Sequence, residues 1–270
     1  MNESDAPNPS SSAQNAYQST PIDYLTRIAR LFENYKTHAL DFLELKAGLH
    51  LLDAGCGAGD DLLALAARHG DHIQLTGVDL DESSLAEARS RARNAKAKIE
   101  FIQSPLNPLP FSDGHFDVVR SDRVFQHLHD PMGALNELIR VTRPSGLVAL
   151  VDVDWGTLVL DHPRAEFSDR LAAFIRDKHI NGRSGRMLYG MMREAGLENL
   201  TAYAEAIAVT DWEVAAFIWG IPASVAAMVK ADLAEAQEAE QWLDEAAAHA
   251  KAGRFFGSMT GMVVKGNFKG

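Results

Sequence analysis

Cysteine is almost absent from this 270-residue chain: Cys56 stands alone, so no intrachain disulfide can form and nothing asks for an oxidising compartment. Basic residues are scarce too. The 26 Lys and Arg face 37 Asp and Glu, a net charge of −11, which is the wrong sign for holding a nucleic-acid backbone. The longest mostly apolar run, Phe217 to Val229, is interrupted by Gly220, Pro222 and Ser224 and falls short of the ~20 residues a membrane-spanning helix needs. The first twenty residues carry no Lys or Arg and no apolar stretch, so no signal peptide is expected there, and their Ser, Asn, Pro and Gln content reads as a disordered tail or a lid. A cytoplasmic protein without nucleic-acid or membrane partners is expected; a homodimer is left open.

What is present is an alternation. After a helical N-terminal segment (residues 21–47), in which Ile22, Leu25, Ile28 and Phe32 share one face and a second stretch ends near Leu45, strands and helices take turns. A strand at Leu51–Leu52 leads through a glycine-rich turn into a helix closed by Gly70. Strands then follow at Ile73–Asp79, Ile99–Gln103, Phe116–Ser121 and Leu147–Val153, with helices at Ser83–Asn94 and Pro131–Val141. This rhythm predicts an α/β fold, a doubly wound, mostly parallel seven-stranded Rossmann-like sheet. Beyond residue 153 come helices near Ala165–Lys178 and Ser184–Glu194 and strands at Leu200–Val209 and Gly257–Lys265. Residues 210–252 between those two strands are too many for a hairpin loop and read as a C-terminal helical insertion over the ligand-bearing edge.

The turn Asp53-Ala54-Gly55-Cys56-Gly57-Ala58-Gly59 lets backbone leave a strand sharply and approach a ligand without Cβ interference. Asp79 ends the next strand 20 residues past Gly59, where a carboxylate in such a fold takes a ribose diol. A dinucleotide fingerprint would want a small residue at position 60. Asp60 stands there, with Asp53 and Asp61 nearby, a set that repels a pyrophosphate and suits a cationic ligand.

The segments LLDAGCGAGD, GVDLDESSLAEAR, LPFSDGHFDVVRSDRVFQHLHDP and RVTRPSG, in that order over residues 48–153, resemble the motifs of class I S-adenosylmethionine-dependent methyltransferases. Within them they look most like the ubiquinone/menaquinone C-methyltransferase-like group, and the ending GRFFGSMTGMVVKG resembles the last strand of bacterial members. The resemblance implies S-adenosylmethionine as cofactor and a small-molecule acceptor, a secondary metabolite or a quinone-like compound. It places Asp53, Gly55, Gly57 and Gly59 against the cofactor's amino-acid part, Asp79 on the ribose, Leu80 against the adenine, and the Ser121 carbonyl at the ammonium. Where the family has Asp followed by a small residue to take the adenine amino group, this chain has Pro105-Leu106. A Leu106 N–H is then left for the ring, and Ser104 or Gln103 would have to supply the side-chain contact.

His127 and Asp154 are the catalytic candidates, His127 as a general base after the fourth strand and Asp154 at the end of the fifth, each weighed against a structural role. Asp152 and Arg123 lie beside them. No metal is expected, since His127 and His129 are two apart and diverge on a helical turn. Cys56 reads as a small side chain packed under the loop. The runner-up functions are a nicotinamide-dependent oxidoreductase, disfavoured by Asp60, and a non-catalytic nucleoside-binding regulatory module. Residues 154–270 are expected to complete the sheet and carry helical substrate-covering insertions, with specificity assigned to the insertion 210–252 and the helices at 163–195, and Tyr17 and Tyr24 to a lid.

Overall fold

The computed structural model describes residues 22–269, with side chains from Leu31 onward, so Tyr17 and the Tyr24 side chain lie outside the described residues. Among the described residues one helix, α1 (Ile22–Asp41), stands before the first strand where a pair was expected. The chain stops being helical there because Glu44 enters the left-handed region at φ 53°. Then follow β1 (His50–Ala54), α2 (Asp60–His69), β2 (Gln74–Asp79), α3 (Glu82–Ala95), β3 (Ile99–Gln103), β4 (Phe116–Asp122), α4 (Pro131–Val141) and β5 (Thr142–Leu160). The remainder is α5 (Ala165–Asp177), α6 (Ser184–Glu194), β6 (Glu198–Val209), α7 (Trp212–Ile218), α8 (Ile221–Lys230), α9 (Ala236–Lys251) and β7 (Gly257–Asn267).

The seven strands order as β3-β2-β1-β4-β5-β7-β6, with β7 alone running opposite to the other six. Strands covered on both faces are apolar on both, and Leu51 and Leu52 of β1 are alike fully buried. Chain order reverses between β1 and β4, and an open α/β sheet takes its ligand at that point, outside the carboxyl ends of the strands.

Local chemistry sets the helix starts on that edge. Asp81 caps α3 by accepting from Ser84 N at 2.9 Å, and Asp130 caps α4 by accepting from Gly133 N at 2.8 Å with Pro131 just inside. The capping role thus falls to Asp81, which leaves Asp79 for the loop.

β5 is longer than its apolar run predicts. It pairs with β4 as far as Asp122–Val151 and then runs on to Leu160 beyond that edge, with an irregularity between Asp154 and Val159. Trp155, Leu158 and Leu160 on this extension form a platform on which α5, α7, α8 and α9 pack, with Trp242 and Phe167 buried among them. The insertion is therefore helical, as expected, and rooted on the ligand side of the sheet. No single described helix is long and apolar enough to cross a membrane; α7 and α8 qualify by length only as a pair, bent by 56° at their break.

Candidate active site

The glycine loop leaves β1 with Gly55 at φ 83° and Gly57 at φ 51°. A Cβ at Gly55 would collide with Val124, the first residue of the turn carrying His127, so glycine lets the two strand ends close together. A Cβ at Gly57 would meet nothing within 4 Å, so that backbone faces open space. Gly59 sits at the N-cap of α2. Asp79 ties the loop down: its carboxylate accepts from Gly57 N at 2.7 Å and Asp81 N at 2.9 Å. Leu80 beside it is 68% exposed, an apolar side chain projecting at the sheet's ligand edge.

Below the loop lies a charge cluster centred on Arg120. Arg120 shares one face of β4 with Val118 and Asp122, each two residues away, and the register sets it opposite Asp53 of β1 on that face of the sheet. Its guanidinium reaches Asp53 Oδ2 at 3.0 Å, Asp61 Oδ2 at 2.9 Å and Asp122 Oδ2 at 3.1 Å; Lys36 of α1 adds a bond to Asp61 Oδ1 at 3.0 Å. Burial pushes the Asp53 and Asp122 carboxyls up against the pull of Arg120. Burial opposes ionisation of Asp61 as well, but the Arg120 and Lys36 charges together hold it well below the usual range. The acidic run at the helix start is thus not a set of bare carboxylates, because Asp60 also pairs, with Arg91 at 2.6 Å. Asp53 Oδ1 remains buried with no hydrogen-bond partner, and so does the hydroxyl of Tyr35, which lies against Gly261.

Across the β4 end, His127 sits in a short 3₁₀ turn, Phe125–His127, fixed from several sides. Asp152 Oδ2 accepts from Gln126 N at 2.8 Å, the Gln126 amide accepts from Trp155 Nε1 at 2.6 Å, and Asn181 Nδ2 donates to the Phe125 and Leu128 carbonyls at 2.9 and 2.6 Å. The His127 ring lies 6.2 Å from that of His179, which stacks on Trp155 at 4.1 Å. Burial and the Arg123 charge lower the His127 pKa, while burial, His127 and Lys178 bring His179 down to about 4. Both imidazoles are neutral at pH 7.

A protein-family model described as a methyltransferase domain matches residues 45–204, more than half of the chain. The chain belongs to this methyltransferase family. An uncharacterized protein of the transposon TN4556 of Streptomyces fradiae is 33% identical over 246 residues, 90% of this chain and 70% of that protein. The demethylmenaquinone methyltransferase of Lactococcus lactis is 35% identical over 112 residues, 41% of this chain and 44% of that enzyme. Among solved structures, the YcgJ protein of Bacillus subtilis shares the fold with a TM-score of 0.62 at 19% identity, covering 88% of this chain and 99% of that one. The protein is an S-adenosylmethionine-dependent, small-molecule methyltransferase of class I, and the oxidoreductase and regulatory alternatives have nothing to support them.

The methyltransferase's residues fit that cofactor. The orphaned Asp53 Oδ1 is an acceptor awaiting a cationic N–H, Gly57 faces free space, and Leu80 offers an apolar surface beside Asp79. The Ser121 hydroxyl donates to Ala54 O at 2.7 Å and pins the β1 and β4 ends together. Leu106 is half-buried against the core. Gln103 donates to Leu80 O at 3.0 Å and Ser104 to Pro105 O at 2.9 Å, which leaves Gln103 Oε1 and the Ser104 Oγ lone pairs to accept from an adenine amino group. Cys56 is half-buried, and burial pushes its thiol up, which suits packing and not attack. Among the described residues no group of three or more His, Cys, Asp or Glu could hold a metal.

Asp154, the other catalytic candidate, stands in an ion pair. It is fully buried, its carboxylate is clasped by the Arg186 guanidinium, and Oδ1 also accepts from Gly156 N at 2.9 Å, which spends both oxygens on holding the β5 extension. Sequence reading missed Arg120, Tyr35, His179 and Asn181. Only Arg120 had a signal, a cation with Asp122 two residues on in a strand that must be covered on both faces.

Proposed function

We propose that this enzyme methylates an aromatic hydroxyl or quinol-like small molecule, with His127 as the general base. Residues 48–153 hold the cofactor, with Asp79 on the ribose, Leu80 against the adenine, the Gly55–Gly59 loop and Asp53 Oδ1 at the amino-acid part, and the Ser121 carbonyl near the ammonium. Residues 154–270 cover the acceptor. When bound, the cofactor supplies an electrophilic methyl on a sulfonium leaving group, so this chain's tasks are alignment, exclusion of water and acceptance of one proton. The single observation that carries the proposal is the location of a neutral, firmly held His127 on the turn that touches Gly55 through Val124. A base on that turn and a ligand on that loop are neighbours.

A quinol-like acceptor is favoured by the likeness to the demethylmenaquinone methyltransferase and by the aromatic lining of the edge, where Trp155 and His179 stack. The acidic surface disfavours a polyanionic substrate, and a cytoplasmic location goes with that chemistry. The test is incubation with methyl-tritiated S-adenosylmethionine and 1,4-naphthohydroquinone. Label in the organic phase together with S-adenosylhomocysteine formation is expected. Thermal protection by NAD but not by S-adenosylhomocysteine would overturn it.

A further inference from the structure

Lys178 follows the last residue of α5 and precedes His179. Its ammonium turns inward to Ser224 Oγ at 2.6 Å, and Ser224 is fully buried at the start of α8, where its own hydroxyl bonds to Gly220 O at 2.7 Å. The neighbouring carboxylate does not follow: Asp177 is exposed and forked onto Arg176 at 2.6 and 2.7 Å. Among the described residues no carboxylate pairs with Lys178, and one hydroxyl answers one of its three N–H groups. The residue before Gly220 is Trp219, 3% exposed, whose indole N–H is buried with no acceptor. In a chain of net charge −11, Lys178 is thus a solvent-accessible residue whose ammonium is held on Ser224 at the corner between α5 and α8 and has no carboxylate partner among the described residues. A part-buried ammonium fixed on one hydroxyl and still open to solvent is placed to receive an anionic group by charge-assisted hydrogen bonds. Burial accordingly lowers the Lys178 pKa, and the charged groups acting on His179 are the cationic Lys178 and the titratable His127, with no carboxylate.

We infer that Lys178 determines acceptor specificity, its ammonium receiving an anionic group on an aromatic acceptor whose ring lies beside the Trp155–His179 stack. The inference rests on the acceptor-site role given above to the His127 edge, and it adds the charge of the substrate class: an aryl acid is taken in preference to its neutral counterpart. One carboxylate or acidic enol oxygen at Lys178 would supply the missing counter-ion, leaving a ring hydroxyl for His127. No bond is made or broken at Lys178, so its role is recognition.

The experiment titrates the S-adenosylhomocysteine-loaded protein with 1-hydroxy-2-naphthoate and with the uncharged 1-hydroxy-2-naphthamide, by calorimetry. The naphthoate should bind about tenfold or more tightly than the amide. Lys178→Met should erase that preference, Lys178→Arg should keep most of it, and S-adenosylhomocysteine affinity should be the same in all three proteins. Equal affinity for the two probes, no binding of the naphthoate, or a preference that survives Lys178→Met overturns the inference while the methyltransferase assignment stands. Failure of the parent protein to bind S-adenosylhomocysteine overturns both.

Discussion

Arg120 on β4 and Asp61 on α2 meet at 2.9 Å beneath the glycine loop, and this bond joins the helix after the loop to the strand across the switch point. Asp61 is also the residue through which Lys36 brings α1 into the cluster, at 3.0 Å. Three carboxylates share this one guanidinium, itself 1% exposed. Arg120→Met would fill the same volume and leave three buried carboxylates without their common cation. Removing one member of a buried ion cluster costs about 3–5 kcal/mol. Urea unfolding at neutral pH should show a loss of that size, against a much smaller loss for Lys36→Met; a loss below about 1 kcal/mol for Arg120→Met would show that the carboxylates are neutral without it.

Asp79 has two tasks, and they can be separated. Its oxygens already accept from Gly57 N and Asp81 N, and each keeps a lone pair with which to accept from a ribose hydroxyl. Asp79→Ala should weaken S-adenosylhomocysteine binding ten- to hundredfold, about 1.5–3 kcal/mol. Asp79→Asn keeps one acceptor oxygen and should lose less. Calorimetry giving the same affinity for all three proteins would remove Asp79 from the cofactor site.

The sheet was legible in the sequence because parallel strands buried on both faces are short apolar runs, and the glycine turn and Asp79 announce themselves by type and spacing. The β3, α4 and α6 boundaries match their expected limits residue for residue. What could not be read depends on partners remote in the chain. Asp154 looks like any carboxylate at a strand end until Arg186 closes on it, and His179 gains meaning only by stacking on Trp155, 24 residues away in sequence. The length of β5 was hidden because Gly156 interrupts the apolar pattern, although β7 supplies pairing partners beyond it at Val159 and Leu160. Tertiary pairing overrides local pattern at such places.

Asp152 makes stability depend on pH in an unusual direction. Burial raises its pKa from 3.8 to about 7, against the N–H groups of Gln126 and Val153 and the Ser184 hydroxyl. Between those values the folded chain keeps a proton that the unfolded chain has released, so the contribution is complete below pH 3.8 and is lost as pH rises through 7. Each unit of pKa is worth ~1.4 kcal/mol, and water penetration reduces the total to about 1–3 kcal/mol. Asp152→Asn should therefore lose less stability than the parent between pH 5 and pH 8 in urea titrations. Parallel pH profiles would mean that Asp152 is ionised throughout.

His127 carries the chemical prediction. Burial and the Arg123 charge lower its pKa below 6.5, so the ring is unprotonated at neutral pH and can take a proton from an acceptor hydroxyl. Turnover should hold down to a pH below 6.5 and fall only as the imidazole protonates, and His127→Ala should abolish that acid limb along with about a hundredfold of kcat. S-adenosylhomocysteine affinity should stay unchanged, because it is Val124 that packs against Gly55 and the turn is held by Gln126 and Asn181, all of which the substitution leaves in place. The paired measurement is kcat and cofactor affinity for the variant, with 1,4-naphthohydroquinone as acceptor. Near-normal turnover would assign the proton to water or to the acceptor itself, and weakened cofactor binding would put His127 on the cofactor's side of the cleft instead of the acceptor's.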